Sequence, residues 1–211
     1  MQDNGENADM IRRASDGDAN ALDQLFTVHR ERLLRMIRLR LDRRIQGRVD
    51  STDILQEAYM DVFKKLREYV NSPSTSFFIW LRNVVGLKLA EVHRRHLGIQ
   101  KRDARRDVSI YRGALPALNS VSLAAQLLGQ LTTPSQTAMK TEMRIRLQEV
   151  LDCMDEIDCE VIALRHFEQL NSQEVADALG MSKPGARRRS IRAIKRLKDE
   201  LSQYSEFDDL A

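Results

Sequence analysis

The sequence predicts an all-α fold of two small helical domains, an N-terminal bundle and a C-terminal helix-turn-helix, joined by a flexible linker. Three observations carry this. Apolar residues recur at spacings of three and four along most of the 211 residues. β-branched runs are scarce, with four prolines and nine glycines. Between Asp107 and Thr141 only Asp107, Arg112 and Lys140 are charged, which divides the chain in two.

Asp18 is placed to cap a first helix carrying Leu22, Leu25 and Phe26. Leu33, Leu34, Ile37, Leu41 and Ile45 form one stripe of an arginine-rich helix that ends before Gly47. Ser51 opens the next, with Leu55, Ala58, Tyr59, Val62, Phe63, Leu66 and Tyr69 on one face. The polar run from Asn71 to Ser76, with Pro73, breaks it. A fourth helix runs from Phe77 through Trp80, Val84 and Val92 to near Gly98. The expected boundaries are a polar tail over 1–17, a first domain over 18–97, a linker over 98–140, a second domain over 141–203 and an acidic tail over 204–211. A short helix through Val121, Ala124, Leu127 and Leu128 is allowed within the linker.

Composition excludes several classes. No apolar run approaches the ~20 residues of a membrane helix, and the first twenty residues lack the apolar core of a secretory signal. Cys153 and Cys159 are too few for a disulfide scaffold. A cytoplasmic protein is expected. The net charge is only +3, but Lys183 to Lys198 holds eight basic residues and no acid. With eight arginines between Arg30 and Arg48 as well, a polyanionic partner is favoured over a merely solvated face.

The most specific local signal lies between Asn171 and Ser182. Asn171 and Glu174 have capping-box spacing, Gly180 suits a left-handed helix end, and Ser182 can cap a helix with Pro184 in its first turn. Such a helix-turn-helix sets its second helix in the DNA major groove. Ser182, Lys183, Arg187, Arg188, Arg189, Arg192 and Lys195 are the candidate DNA contacts. An ordinary helical hairpin is the bland alternative, and the basic density of the second helix weighs against it.

Six of the eleven aromatics fall between Tyr59 and Trp80, around the polar loop. Phe63, Tyr69 and Trp80 lie on apolar stripes and are assigned to the core. Phe77 and Phe78 cannot share a helical face, so one looks outward, and Phe78 joins the candidate base contacts.

Three segments together resemble the bacterial RNA polymerase sigma factors of the sigma-70 family, extracytoplasmic-function class. They are Asp53-Ile54-Leu55-Gln56-Glu57, Phe77-Phe78-Ile79-Trp80-Leu81, and Val161 to Glu168 running into the helix-turn-helix. The likeness covers about 140 of the 211 residues. It implies a factor that binds core polymerase and directs initiation at promoters with −10 and −35 elements. It implies that Asp53, Gln56 and Glu57 dock on the polymerase β′ clamp. It also implies that the loop after Val70 captures a flipped −10 base, with Asn71, Ser72, Ser74, Thr75, Phe78, Arg82 and Lys88 as contacts, while the helix from Ser182 reads the −35 element. Core polymerase (β′ clamp and β flap) and promoter DNA are the implied partners, an anti-sigma factor is a candidate one, and no cofactor is implied.

Two departures stand out. Gly86-Leu87 replace the family's Arg-Asn pair, and Ser190 stands where an apolar anchor is common. His93 and His96 have metal-compatible spacing but sit beside Arg94 and Arg95, so no metal is expected. No P-loop, Gly-x-Ser-x-Gly or dinucleotide turn occurs, which weighs against an enzyme. The competing readings are a stand-alone helix-turn-helix regulator with an N-terminal sensing or dimerisation domain, and a helical nucleic-acid enzyme.

Overall fold

The structure is a computed structural model, and it describes residues 3–97, 115–131 and 137–204. Among the described residues every element is helical. The chain forms two compact units, Met1–Ala117 and Leu118–Ala211.

The first unit begins with α1 (Asp3–Ser15), α2 (Ala19–Arg40), α3 (Ser51–Asn71) and α4 (Phe77–Leu97). Residues 3–15, expected within a polar tail, are helical and pack on α2 and α3, with Ala14 buried. The apolar content of α1 is thin, so periodicity barely marks it, and its turn into α2 is fixed by charge. Asp18 caps α2 by accepting from the Ala21 amide at 3.1 Å, while its other oxygen accepts from Arg13 at 2.7 and 3.0 Å. Helix α2 unites the two helices expected there, since nothing between Phe26 and Leu33 breaks it, and it ends at Leu41. Helix α3 opens at Ser51, and Asp50 caps it, accepting from the Thr52 amide at 2.8 Å. Helix α4 buries Phe78, Ile79, Leu81, Val84, Val85, Leu89 and Val92, side chains on most of its circumference. Helices α2 and α3 each pack on α1, on α4 and on one another.

In the second unit the short helix allowed within the linker is formed. Helix α5 (Ser120–Leu131) packs on α6 (Thr137–Cys153) and buries Leu123, Ala124 and Leu128. Asn119 caps α5, its side-chain oxygen accepting from the amides of Val121 at 3.0 Å and Ser122 at 3.2 Å. Of the charge-poor stretch, α5 thus contributes Leu123, Ala124 and Leu128 to a core, while residues 98–114 and 132–136 lie outside the described residues. Helix α6 buries the stripe Met143, Leu147, Val150 and Leu151, spaced at three and four residues.

Asp155 caps α7 (Glu156–Ile162), which widens into a π-helical turn over Ala163–Phe167. The extra residue per turn allows Leu164, Phe167 and Leu170 all to be buried. Arg165 Nη1 donates to the Leu170 carbonyl at 2.5 Å, closing the loop over Gln169, whose φ is +56°. Helices α8 (Ser172–Leu179) and α9 (Lys183–Leu201) complete the unit. The capping box is formed in full: Asn171 Oδ1 accepts from the Glu174 amide at 3.0 Å, and Glu174 accepts from the Asn171 amide at 2.8 Å. Removing it by Asn171→Ala should cost about 1 kcal/mol of the second unit's stability, read as a lowered urea midpoint with an unchanged slope.

Candidate nucleic-acid interface

Gly180, at φ +64°, ends α8 in the left-handed conformation that glycine adopts at little cost. Ser182 then caps α9, accepting from the Gly185 amide at 3.2 Å. Because α9 buries mainly small residues, Ala186 and Ala193, with Leu197, it can lie close against the rest of the unit. Ser190, in the place of an apolar anchor, turns its hydroxyl inward along the helix and donates to the Ala186 carbonyl at 2.9 Å.

Lys183, Arg187, Arg188, Arg192 and Lys195 are exposed, as is the capping Ser182. Arg189 is not part of this face. Its Nε donates to Asp158 at 2.6 Å and its Nη2 to Asp155 at 2.7 Å, and its side chain is 29% exposed. Two of its five N–H donors are engaged by carboxylates at the start of α7, which sets it apart from the exposed cations of α9. The sequence reading also missed Ile191, 63% exposed between the turns that carry Arg187 and Lys195. Its position off the Ala186–Ala193–Leu197 stripe was the available signal.

In the first unit the turn between α3 and α4 holds Asn71, Ser72, Ser74 and Ser76 exposed and Thr75 half-buried. An aromatic cluster braces it. Tyr69 stacks on Trp80 with centroids 4.7 Å apart, Phe77 lies 5.7 Å from Trp80, and the Tyr69 hydroxyl donates to the Thr75 carbonyl at 3.0 Å. Burial pushes the Tyr69 phenol up from its ordinary range, keeping it a neutral donor.

Three expected contacts on α4 prove internal. Phe78 is 4% exposed, covered by the Arg32 guanidinium 3.5 Å from its ring centroid and by His29 at 5.2 Å. Arg82 is 1% exposed. Lys88 Nζ lies 2.8 Å from Asp61 and 2.9 Å from Glu91; the two carboxylates raise its pKa, and Lys88 in turn holds the Glu91 carboxyl low. The rings nearer solvent are Phe77 and Trp80, both half-buried.

Asp53, Gln56 and Glu57 are exposed on one face of α3, with Glu57 3.5 Å from Arg95. The ridge continues through Met60 and Phe63, which are 54% and 43% exposed, so Phe63 is not a core residue. Gln56 and Met60 also border an open groove of about 690 Å³ between α2 and α3. On its wall Tyr59 donates to Asp23 at 2.7 Å, and burial with that carboxylate pushes its pKa up to about 12. His93 serves the fold, its Nε2 accepting from the Asp42 amide at 3.3 Å. Among the described residues no His, Cys, Asp or Glu cluster could hold a metal ion.

A helix-turn-helix with a cationic second helix, in a chain with a separate helical unit, defines a transcription protein of the helix-turn-helix class. The profile of the ECF sigma factors matches residues 4–203, and the chain belongs to that family. It is an RNA polymerase sigma factor, whose partners are core RNA polymerase and promoter DNA. It is 26% identical over 204 residues to the ECF RNA polymerase sigma factor SigD of Mycobacterium tuberculosis, covering 96% of this chain and 88% of SigD. It is 27% identical over 161 residues to the probable RNA polymerase sigma factor RfaY of Xanthomonas campestris, covering 76% of this chain and 36% of RfaY. In fold it is similar to CnrH, solved in complex with the cytosolic domain of CnrY, with a TM-score of 0.57 at 20% identity and coverage of 95% of this chain and 99% of CnrH. No helix among the described residues is long and apolar enough to cross a membrane.

The fork of Arg189 generates a prediction. Arg189→Ala should lower the melting temperature of the second unit while leaving the sequence preference of the remaining DNA binding unchanged, as scored on a panel of single-base promoter variants.

Proposed function

We propose a division of labour within this sigma factor. Helix α9 reads the −35 element through Arg187, Arg188 and Arg192, with Ser182, Lys183 and Lys195 on phosphates. The turn from Asn71 to Ser76 receives an unpaired base of the −10 element, and Phe77 and Trp80 supply the ring surface. Asp53, Gln56 and Glu57, extended by Met60 and Phe63, dock on the β′ clamp, and the second unit engages the β flap. The chain works in the cytoplasm, on the nucleoid when part of holoenzyme. The complex of CnrH with CnrY makes an anti-sigma factor a further proposed partner.

The observation that carries this reading is the sorting of charge on α9. Arg189 turns inward to two carboxylates, while Arg187, Arg188, Arg192 and Lys195 stay exposed on a capped, rigid helix. Solvation alone does not require so many cations without an acid among them. Arginines on such a face can bond guanine O6 and N7 in pairs, and an apolar side chain such as Ile191 suits a thymine methyl. The half-buried Tyr69–Phe77–Trp80 cluster supports the loop assignment, since stacking an extruded base offsets its unstacking by about 1–3 kcal/mol.

Arg188→Ala should cost about 1–3 kcal/mol and relax preference at one position of the site. Lys195→Ala should weaken all sequences evenly and reduce the slope of log K against log salt by about one. Equal binding by both variants at low salt would remove α9 from the DNA. On the polymerase side, the double variant Asp53→Ala, Glu57→Ala should stay folded, since both residues are exposed. Its affinity for core polymerase should fall, and unchanged affinity would return the ridge to solvent.

A further inference from the structure

Helix α2 and the connection that follows it carry eight arginines between Arg30 and Arg48, all of them outside α9, the 71–76 turn and the α3 ridge. The fold sorts these arginines. Arg32 lies over the Phe78 ring and Arg40 is 1% exposed, so both serve the core. Arg44 donates to both oxygens of Asp42, at 3.0 and 2.7 Å. Arg38, at the end of α2, and Arg43 and Arg48, in the connection 41–50 between α2 and α3, are exposed.

The connection is fixed from several sides. Leu41 and Ile45 are buried, and Gln46 Nε2 donates to the Leu41 carbonyl at 2.9 Å. The Ile45 amide donates to the Asp42 carbonyl at 3.1 Å and the Arg48 amide to the Ile45 carbonyl at 2.9 Å, closing successive turns. The Asp42 amide donates to His93 Nε2 at 3.3 Å, which ties the connection to the last turns of α4. Both acids of this region work for the fold. Asp42 holds Arg44 and its amide, and Asp50 accepts from the amide and hydroxyl of Thr52, both at 2.8 Å. Carboxylates are committed inward while guanidinium groups face solvent, the same sorting that marks α9. A merely solvated loop needs charge but no such fixed backbone.

We propose that the connection 41–50 is a further DNA contact of the first unit, in which Arg43 and Arg48, with Arg38 beside them, hold backbone phosphates of duplex DNA. The guanidinium fork matches phosphate oxygens in pairs. A base-reading or protein-docking role is less well served, because protein interfaces are anchored by aromatic and apolar side chains. Here Leu41 and Ile45 are buried and Val49 is half-buried, so the exposed side chains are long and polar. The connection and the 71–76 turn lie at opposite ends of α3, whose 21 residues span about 30 Å. That length equals about nine base pairs at ~3.4 Å each. The contact therefore falls on duplex well away from a base held at the turn. This placement rests on the −10 reading of the turn, whereas the phosphate contact does not.

The test uses holoenzyme assembled from the full chain and core polymerase, bound to a promoter duplex over a series of salt concentrations. The double variant Arg43→Gln, Arg48→Gln should keep its melting temperature, since both side chains are exposed. The slope of log K against log salt should fall by about two, so that the parent's advantage shrinks about tenfold between 50 and 200 mM salt. Preference across single-base promoter variants should not change, and neither should affinity for core polymerase titrated without DNA. Lys195→Ala in the same series reports on α9, so the two readings fail separately. An unchanged slope in the double variant would overturn the contact and leave a solvated loop. Loss of core affinity at unchanged slope would overturn it in favour of a polymerase contact, and altered sequence preference would overturn it in favour of base reading.

Discussion

The fork from Arg189 to Asp155 and Asp158 is the interaction that ties α9 to the start of α7 in the second unit. Helix α9 has little apolar surface to offer, because Ala186 and Ala193 are small and Ser190 satisfies itself. The paired carboxylates at the start of α7 fix its rotation instead. Once Arg189 is committed, helical geometry turns Arg187, Arg188, Ile191 and Lys195 to solvent together. The carboxylates are held in turn, since Asp155 also caps α7 through the Ile157 amide at 2.9 Å. Capping, docking and display are thus coupled through one aspartate.

The first unit solves a related problem with aromatic packing. A loop of small polar residues has little intrinsic order, yet the base-receiving role proposed for this one calls for a shape held beforehand. Tyr69 from α3 and Trp80 from α4 stack across the turn, and the Tyr69 hydroxyl holds the Thr75 carbonyl. The cost of ordering the loop is therefore met in folding rather than in binding. The charged residues of α4 are meanwhile spent on the unit itself: Lys88 bridges Asp61 and Glu91, and Arg82 is buried.

What the sequence disclosed was chemistry acting over a few residues. Asn171 with Glu174, Gly180, Ser182 and Asp18 each fulfil a local hydrogen-bonding or conformational requirement, and each stands in the structure as read. What it concealed was whatever a distant segment decides. Phe78 is covered by Arg32 and His29 from α2, and among the described residues Phe63 stays 43% exposed on α3. Arg189 differs from Arg188 only through residues some thirty positions earlier. Absence of charge marks solvated loops and buried helices alike, and only the packing of α5 on α6, with Leu123 and Leu128 buried, shows that the short helix allowed in the linker belongs to a core.

The central claim is that the two units recognise two promoter elements on behalf of polymerase. The most direct measurement is transcription by purified core RNA polymerase with and without this chain, on a library of random promoter sequences, with sequencing of the transcripts. The account predicts transcripts that appear only with the chain, starting downstream of two short conserved elements at a fixed spacing. No chain-dependent transcripts, or transcripts from templates without shared elements, would contradict it.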